Sequence, residues 1–168
     1  QEPEARSADT TMAHTHTLNL IHMVFATKSR APMITPEFKP KLHAYMAGTV
    51  RGLDAYLYAL DGVADHCHVI FDLPAKLALA EFANALKSGT SKWARRKGGM
   101  PEFGWQRGYG AFSMNRASLD HAIKYVQDQE EHHRKRSFRD ELAEFMRVHG
   151  MDADPEFIDG VFEASDEG

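Results

Sequence analysis

The order of strand-like and helix-like segments constrains the fold of this chain more than any other feature. Alternating or short apolar runs predict strands over residues 16–27, 55–61, 66–73 and 108–114. Apolar residues at helical spacing predict helices over residues 38–51 and 77–97, after Ser118, and over residues 138–148. The order βαββαβαα matches a split β-α-β arrangement. We therefore expect an α+β fold, a ferredoxin-like antiparallel sheet of four or five strands with helices mainly on one face.

Length and charge predict one folded domain with two unlike ends. A chain of 168 residues has the size of a single domain. We interpret residues 1–11 as a leader or disordered arm, 12–150 as the domain and 151–168 as an acidic extension, since that extension has seven acidic residues and no Lys or Arg. The domain keeps 14 acidic and 19 basic residues, a net charge of +5 that suits a polyanionic partner.

Cysteine usage and the distribution of apolar residues bear on the cell compartment. The single Cys67 excludes an intramolecular disulfide and a multi-thiolate metal site, which makes a reducing cytoplasm the expected location. No apolar run approaches the ~20 residues of a membrane span, and the N-terminus lacks the regions of a signal peptide. We expect a soluble, cytoplasmic protein without membrane attachment.

The tripeptide His66-Cys67-His68 lies within a predicted strand. Because side chains alternate along a strand, both imidazoles point to one face and Cys67 points to the other, toward the core. The two histidines, about 7 Å apart at their Cα atoms, are able to converge on one divalent ion. The alternative is a pair of solvated histidines on an open sheet face.

Tyr125 and Gln129 lie four residues apart in the helix predicted after Ser118. That spacing stacks them on one helical face beside the apolar stripe, and His121 and His132 extend the same flank. A hydroxyl nucleophile near a metal, with an amide oxygen as a further ligand, explains this pair. The alternative for Tyr125 is an amphipathic side chain at the edge of the helix.

Four segments together resemble a known family. They are residues 22–30 (HMVFATKSR), 65–68 (DHCH), 105–113 (WQRGYGAFS) and 125–133 (YVQDQEEHH). In this order and spacing they resemble the single-tyrosine HUH transposases of small bacterial insertion sequences, over about Leu18 to Met151. A His-x-His pattern alone is weakly specific, but its combination with the other three segments is specific. The resemblance implies the HUH endonuclease version of the ferredoxin-like fold.

The resemblance also implies an activity. Members of this family are dimeric enzymes that recognise DNA hairpins near element ends and cut and rejoin single-stranded DNA. Carried over to this chain, His66, His68 and Gln129 bind Mg²⁺ or Mn²⁺, and Tyr125 is the nucleophile that ends as a 5′-phosphotyrosine. In the family the tyrosine helix commonly serves the partner's histidine pair. Cys67 departs from the larger aliphatic residue that is usual there, which affects packing more than metal binding.

Basic residues with an interleaved aromatic ring are candidates for contacts to DNA phosphates and bases. The candidate residues are Lys28, Arg30, Lys87, Lys92, Trp93, Arg95, Arg96 and Lys97. The alternative is a solvated helix face with Trp93 in the core. His133 is interpreted as part of a charged helix end.

Other functions fit part of the pattern. A replication initiator or relaxase shares the chemistry but usually carries extra domains that this length does not accommodate. A domesticated hairpin-binding regulator without cleavage activity would not need His66, His68, Tyr125 and Gln129 together. A small ferredoxin-like domain whose histidines bind metal adventitiously is a third alternative.

Overall fold

The structure is a computed structural model that describes residues 16–152. Its elements are β1 (Leu20–Ala26), α1 (Lys39–Gly52), β2 (Tyr56–Val63), β3 (His66–Asp72), α2 (Leu79–Arg96), β4 (Gly110–Ser113), α3 (Leu119–Gln127), α4 (Gln129–His133) and α5 (Phe138–Val148), with 3-10 turns at Lys28–Arg30 and Arg116–Ser118. The predicted leader and most of the acidic extension lie outside the described residues. Within residues 16–152, no helix combines the length and apolar character needed to cross a membrane.

The four strands form one antiparallel sheet in the order β2-β3-β1-β4. This confirms the predicted α+β class and all four predicted strands, with ends that differ by a few residues. Strands β1 and β3 are central, and Val24 of β1 pairs with His68 of β3. The histidine pair therefore lies in the middle of the sheet.

Side chains on one face of the sheet pack against α1 and α2. The fully buried residues of this core include Met23, Cys67, Val69, Phe71, Leu42, Met46, Val50, Phe82 and Leu86. Cys67 lies among them, as the strand alternation predicts, and burial raises the pKa of its thiol. It acts as a small apolar core residue.

Helices α3 and α5 cover the opposite face of the sheet. Three apolar residues of α5, Phe138, Leu142 and Met146, pack with residues of β1 and β4, and two of α3 pack with Leu20 and Ile70. The two longest helices, α1 and α2, share one face, as predicted. Helices α3 and α5 lie on the other face. The apolar stripe of α5 is buried against this face of the sheet. With helices on both faces, every residue of β3 is buried.

The helix that carries Tyr125 is interrupted, although its sequence pattern predicts one continuous helix. Asp128, with φ −95° and ψ 20°, separates α3 from α4. The Gln129 side-chain amide still lies 3.4 Å from the Tyr125 carbonyl oxygen. The two residues therefore keep the proximity that their spacing predicts.

We expect Gly62→Ala to destabilise the protein. A Cβ at this position of β2 would lie 2.2 Å from the His66 carbonyl oxygen and 2.9 Å from the Cys67 Cα, so backbone must move. The expected loss is about 1–3 kcal/mol in the free energy of unfolding, measured by urea denaturation. Gly48→Ala in α1 is the matched control, because no atom lies within 4 Å of the added Cβ. Equal stability of the Gly62 variant and the unchanged protein would contradict this reading of the sheet.

Candidate active site

The imidazoles of His66 and His68 are side by side on β3, with ring centroids 5.3 Å apart and no solvent exposure. Each ring uses Nδ1 for a partner away from its neighbour. His66 Nδ1 lies 2.7 Å from Asp65 Oδ1, and His68 Nδ1 lies 2.9 Å from His22 Nε2. The two Nε2 atoms consequently face a common centre. The solvated alternative for this pair is wrong, because α5 covers the histidine face.

The carboxylate of Glu141, on α5, occupies that centre. Its Oε2 lies 3.4 Å from His66 Nε2 and 2.9 Å from His133 Nε2, and its Oε1 lies 3.3 Å from His68 Nε2. The Tyr125 hydroxyl donates a hydrogen bond to the same Oε1. Glu141 thus links the histidine pair to the candidate nucleophile.

Sequence reasoning missed Glu141 and assigned His133 to a charged helix end. One signal was available for Glu141. It lies three residues after Phe138 and four before Phe145, so it occupies the apolar stripe of α5 and is only 3% exposed. An acidic residue at a buried helix position needs partners, and here the partners are imidazoles and a phenol. No comparable signal marked His133.

The cluster perturbs the acidity of its members. Burial alone would raise the pKa of Glu141, but the adjacent imidazoles of His133, His66 and His68 hold it well below its ordinary value. Burial and the adjacent Glu141 carboxylate raise the pKa of Tyr125. Both pKa shifts favour a protonated phenol beside an ionised carboxylate.

Two buried atoms support a metal at this centre. His68 Nε2 and the side-chain oxygen of Gln129 are buried without a hydrogen-bond partner among residues 16–152, since the contact of His68 to Glu141 is poorly aligned. Both belong to side chains that sequence analysis selected as ligands. One ligand atom from each of His66, His68, His133 and Glu141 lies within 4.8 Å of the others. This set of nitrogen and oxygen donors fits a divalent cation.

Tyr125 belongs to the same chain as the histidines that it approaches. Its ring centroid is 6.1 Å from that of His68, and its ring stacks on His132 at 4.7 Å. Within this chain Tyr125 approaches its own histidine pair, and a helix that serves a partner's histidine pair stays a prediction. The connector before α3 is short, and the packing of α3 on Leu20 and Ile70 holds Tyr125 over its own sheet.

Two cavities flank Tyr125 and Glu141. One of about 730 Å³ lies between β4, α3 and α5 and is lined partly by Phe112, Phe145 and the exposed His121. The other, of about 280 Å³, is lined by His132, His133 and basic residues of the loop before α5. Open space therefore reaches Tyr125 from two sides.

The basic residues of α2 lie on the other side of the sheet from this cluster, because α2 packs on the Cys67 face. The Lys87 ammonium donates hydrogen bonds to the carbonyl oxygens of Gln106 and Gly108, and burial lowers its pKa to about 8. The Trp93 ring stacks on Tyr45 at 4.6 Å. Lys87 and Trp93 therefore make contacts within the fold, and their contact with DNA stays a prediction.

The other DNA-contact candidates differ in how exposed they are. Arg95 donates a hydrogen bond to the Phe103 carbonyl oxygen, and the Arg30 guanidinium lies 4.9 Å from the centre of the Phe138 ring. Five candidates are exposed at the end of α2 and just after β1: Lys28, Lys92, Arg95, Arg96 and Lys97. The basic candidates thus form no single surface around Tyr125.

The fold with this central histidine pair is the HUH fold of tyrosine transposases. A structure assigned as a transposase from Deinococcus radiodurans R1 superposes with a TM-score of 0.56 at 16% identity, covering 72% of this chain and 98% of that one. The structure of a REP-associated tyrosine transposase bound to a REP hairpin superposes with a TM-score of 0.51 at 14% identity, covering 73% of this chain and 72% of that one.

The sequence itself also matches a family model. The model described as "Transposase IS200 like" matches residues 15–129, more than half of the chain, so the protein belongs to the IS200-like transposase family. A search of curated proteins finds no match. The matched region ends at Gln129, so α5 and its Glu141 lie beyond it.

Proposed function

We propose that this transposase cuts and rejoins single-stranded DNA with Tyr125 as its nucleophile. The supporting observation is that the Tyr125 hydroxyl, Gln129 and the His66–His68 pair surround one carboxylate within a single chain. In the proposed step the Tyr125 oxygen forms a bond to phosphorus while the bond from phosphorus to the 3′ oxygen breaks. The phenolic proton leaves, and the 3′ oxygen gains a proton. The product is a 5′-phosphotyrosine with a free 3′-hydroxyl, and the reverse step rejoins DNA without ATP.

A divalent metal is part of this proposal. His66, His68 and Gln129 would hold it, with Glu141 and His133 as further ligands, and Mg²⁺ or Mn²⁺ would supply positive charge to polarise the scissile phosphate. The protein's own contribution is to hold the imidazole Nε2 atoms toward one point and to bring the phenol beside them. The hydrogen bond from Tyr125 to Glu141 must open before the oxygen attacks phosphorus.

The polarity of the covalent product gives a direct test. A single-stranded oligonucleotide containing a hairpin, labelled at either its 5′ or its 3′ end, is incubated with the protein and Mn²⁺ and separated under denaturing conditions. The 3′ label should stay on the protein, and the 5′ label should leave on a shorter fragment. A 5′ label retained on the protein would contradict the proposed polarity. Strong hairpin binding without any adduct would favour the domesticated regulator.

Hairpin recognition, assembly and location are further parts of the proposal. The REP hairpin bound by a protein of the same fold supports a DNA hairpin as the ligand here. The resemblance to HUH transposases supports a homodimer, which light scattering after size exclusion tests. The single buried Cys67 is consistent with a reducing cytoplasm as the place of action.

The five exposed basic residues should contribute to DNA affinity through contacts to phosphates. We expect Arg96→Ala to weaken hairpin binding at low salt and to reduce the slope of log affinity against log salt concentration by about 1, measured by fluorescence anisotropy. Lys76→Ala is the control, because Lys76 precedes the opposite end of α2. An unchanged slope for Arg96→Ala would remove Arg96 from the interface.

A mixture of inactive variants tests whether the site is complete within one chain. We mix His66→Ala/His68→Ala protein with Tyr125→Phe protein under conditions that allow subunit exchange. Because Tyr125 contacts the histidine cluster of its own chain, every site in the mixture lacks an essential group. Adduct formation should therefore stay at the level of the separate variants. Restored cleavage would show that the site is shared between subunits.

A further inference from the structure

We propose that His22 is a positioning residue that sets the tautomer of His68 for metal binding. This inference rests on the metal site proposed above. His22 lies on β1, next to β3, and is 3% exposed, while His68 has no exposure. His22 Nε2 lies 2.9 Å from His68 Nδ1, and the ring centroids are 5.1 Å apart.

The hydrogen bond between the two rings has two possible directions. In a neutral pair only one of the facing nitrogens carries a proton. If His22 Nε2 donates, the His68 proton sits on Nε2, and that nitrogen has no lone pair to offer the centre. If His68 Nδ1 donates, its Nε2 is free to bind a cation. Metal binding through His68 Nε2 therefore requires His22 to accept the hydrogen bond.

His66 has no such ambiguity. Its Nδ1 faces the Asp65 carboxylate at 2.7 Å, and an ionised carboxylate only accepts hydrogen bonds. The two proposed ligands thus have outer partners of different kinds, one with a fixed role and one that can reverse. Of the two outer partners, only His22 can reverse its hydrogen bond. Metal binding therefore has to fix the direction of the hydrogen bond between His22 and His68.

The surroundings of His22 support its role as a neutral acceptor. The Phe145 ring meets the His22 ring edge-on at 4.8 Å, and the Tyr125 ring lies 6.5 Å away. A neutral His22 whose proton sits on Nδ1 presents a lone pair at Nε2, the atom that faces His68.

The test compares two variants by Mn²⁺ affinity in the absence of DNA, measured by isothermal titration calorimetry. His22→Phe keeps a ring but removes the acceptor, and we expect Mn²⁺ affinity to fall by about 10–100-fold. His22→Gln can place an amide oxygen near the position of Nε2 and should restore affinity to within a few-fold of the unchanged protein. Phe145→Leu controls for loss of packing against His22 and should change affinity far less. Circular dichroism verifies that each variant is folded.

A tautomer measurement gives a second readout. In protein loaded with diamagnetic Mg²⁺, ¹H–¹⁵N correlation spectra of the imidazoles should show the His68 proton on Nδ1. A proton on Nε2 in that state, or unchanged Mn²⁺ affinity in folded His22→Phe, would overturn the proposal. If His68→Ala also left Mn²⁺ binding unchanged, the metal site itself would be wrong. Loss in His68→Ala but not in His22→Phe would reject the role of His22 alone.

Discussion

Tyr125→Phe should abolish the covalent protein–DNA adduct and leave hairpin binding nearly intact. We expect adduct formation to fall by at least about a thousandfold, because no other group supplies the oxygen that attacks phosphorus. The variant loses the hydrogen bond to Glu141, which costs about 1 kcal/mol of folding free energy and leaves the ring in place. Denaturing gels with a 3′-labelled hairpin oligonucleotide measure the adduct, and anisotropy measures binding.

The matched control for this variant is Tyr45→Phe. Tyr45 stacks on Trp93, which packs against the core on the Cys67 face of the sheet, away from the histidine cluster. Loss of the Tyr45 hydroxyl should not change the amount of protein–DNA adduct. An adduct that survives in Tyr125→Phe, or one that disappears in Tyr45→Phe, would show that the nucleophile has been assigned wrongly.

His66→Ala and His68→Ala should each remove Mn²⁺-dependent cleavage and weaken Mn²⁺ binding by at least about 100-fold, since each deletes a proposed ligand. Sequence analysis alone would place these rings on an open sheet face, where their loss costs little stability. The structure changes that expectation. His66 stacks on Phe138 at 4.2 Å. The imidazoles of His66 and His68 both contact the buried Glu141 carboxylate. We therefore expect each substitution to cost about 1–3 kcal/mol in the free energy of unfolding as well.

Metal binding and stability are separated by a control and by the choice of readout. His43→Ala removes a largely buried imidazole beside Cys67, on the opposite face, where no metal cluster lies among the described residues. It should lose stability without losing Mn²⁺ affinity. Isothermal titration calorimetry compares the Mn²⁺ affinities of the variants. The fraction of each variant that is folded is calculated from its urea denaturation curve. Wild-type protein that cuts equally well after chelator treatment would contradict the metal-dependent mechanism as a whole.

Helix α5 decides how open the site is, although it lies beyond the part of the chain that matches the family model. It brings Glu141 to the centre and shields both histidines from solvent. Under the proposed function, a strand of DNA would reach Tyr125 through one of the two cavities that flank it, of about 730 Å³ and 280 Å³.

The sequence by itself was sufficient for the features that depend on local periodicity. Alternation within β3 put both histidines on one face and Cys67 on the other, because successive side chains of a strand point to opposite sides. A spacing of four residues placed Tyr125 and Gln129 together, because helical neighbours share a face. The order of the segments specified an antiparallel α+β sheet.

Only the tertiary structure decided what lies against each of those faces. Glu141, His133 and His22 reach the histidine pair from α5, α4 and β1, at sequence separations that no local pattern encodes. The same long-range packing put the basic end of α2 across the sheet from Tyr125 and placed Tyr125 beside His68. Periodicity tells which way a side chain points within its own element. Which element covers that face is set by the burial of apolar stripes elsewhere in the chain, here those of α3 and α5.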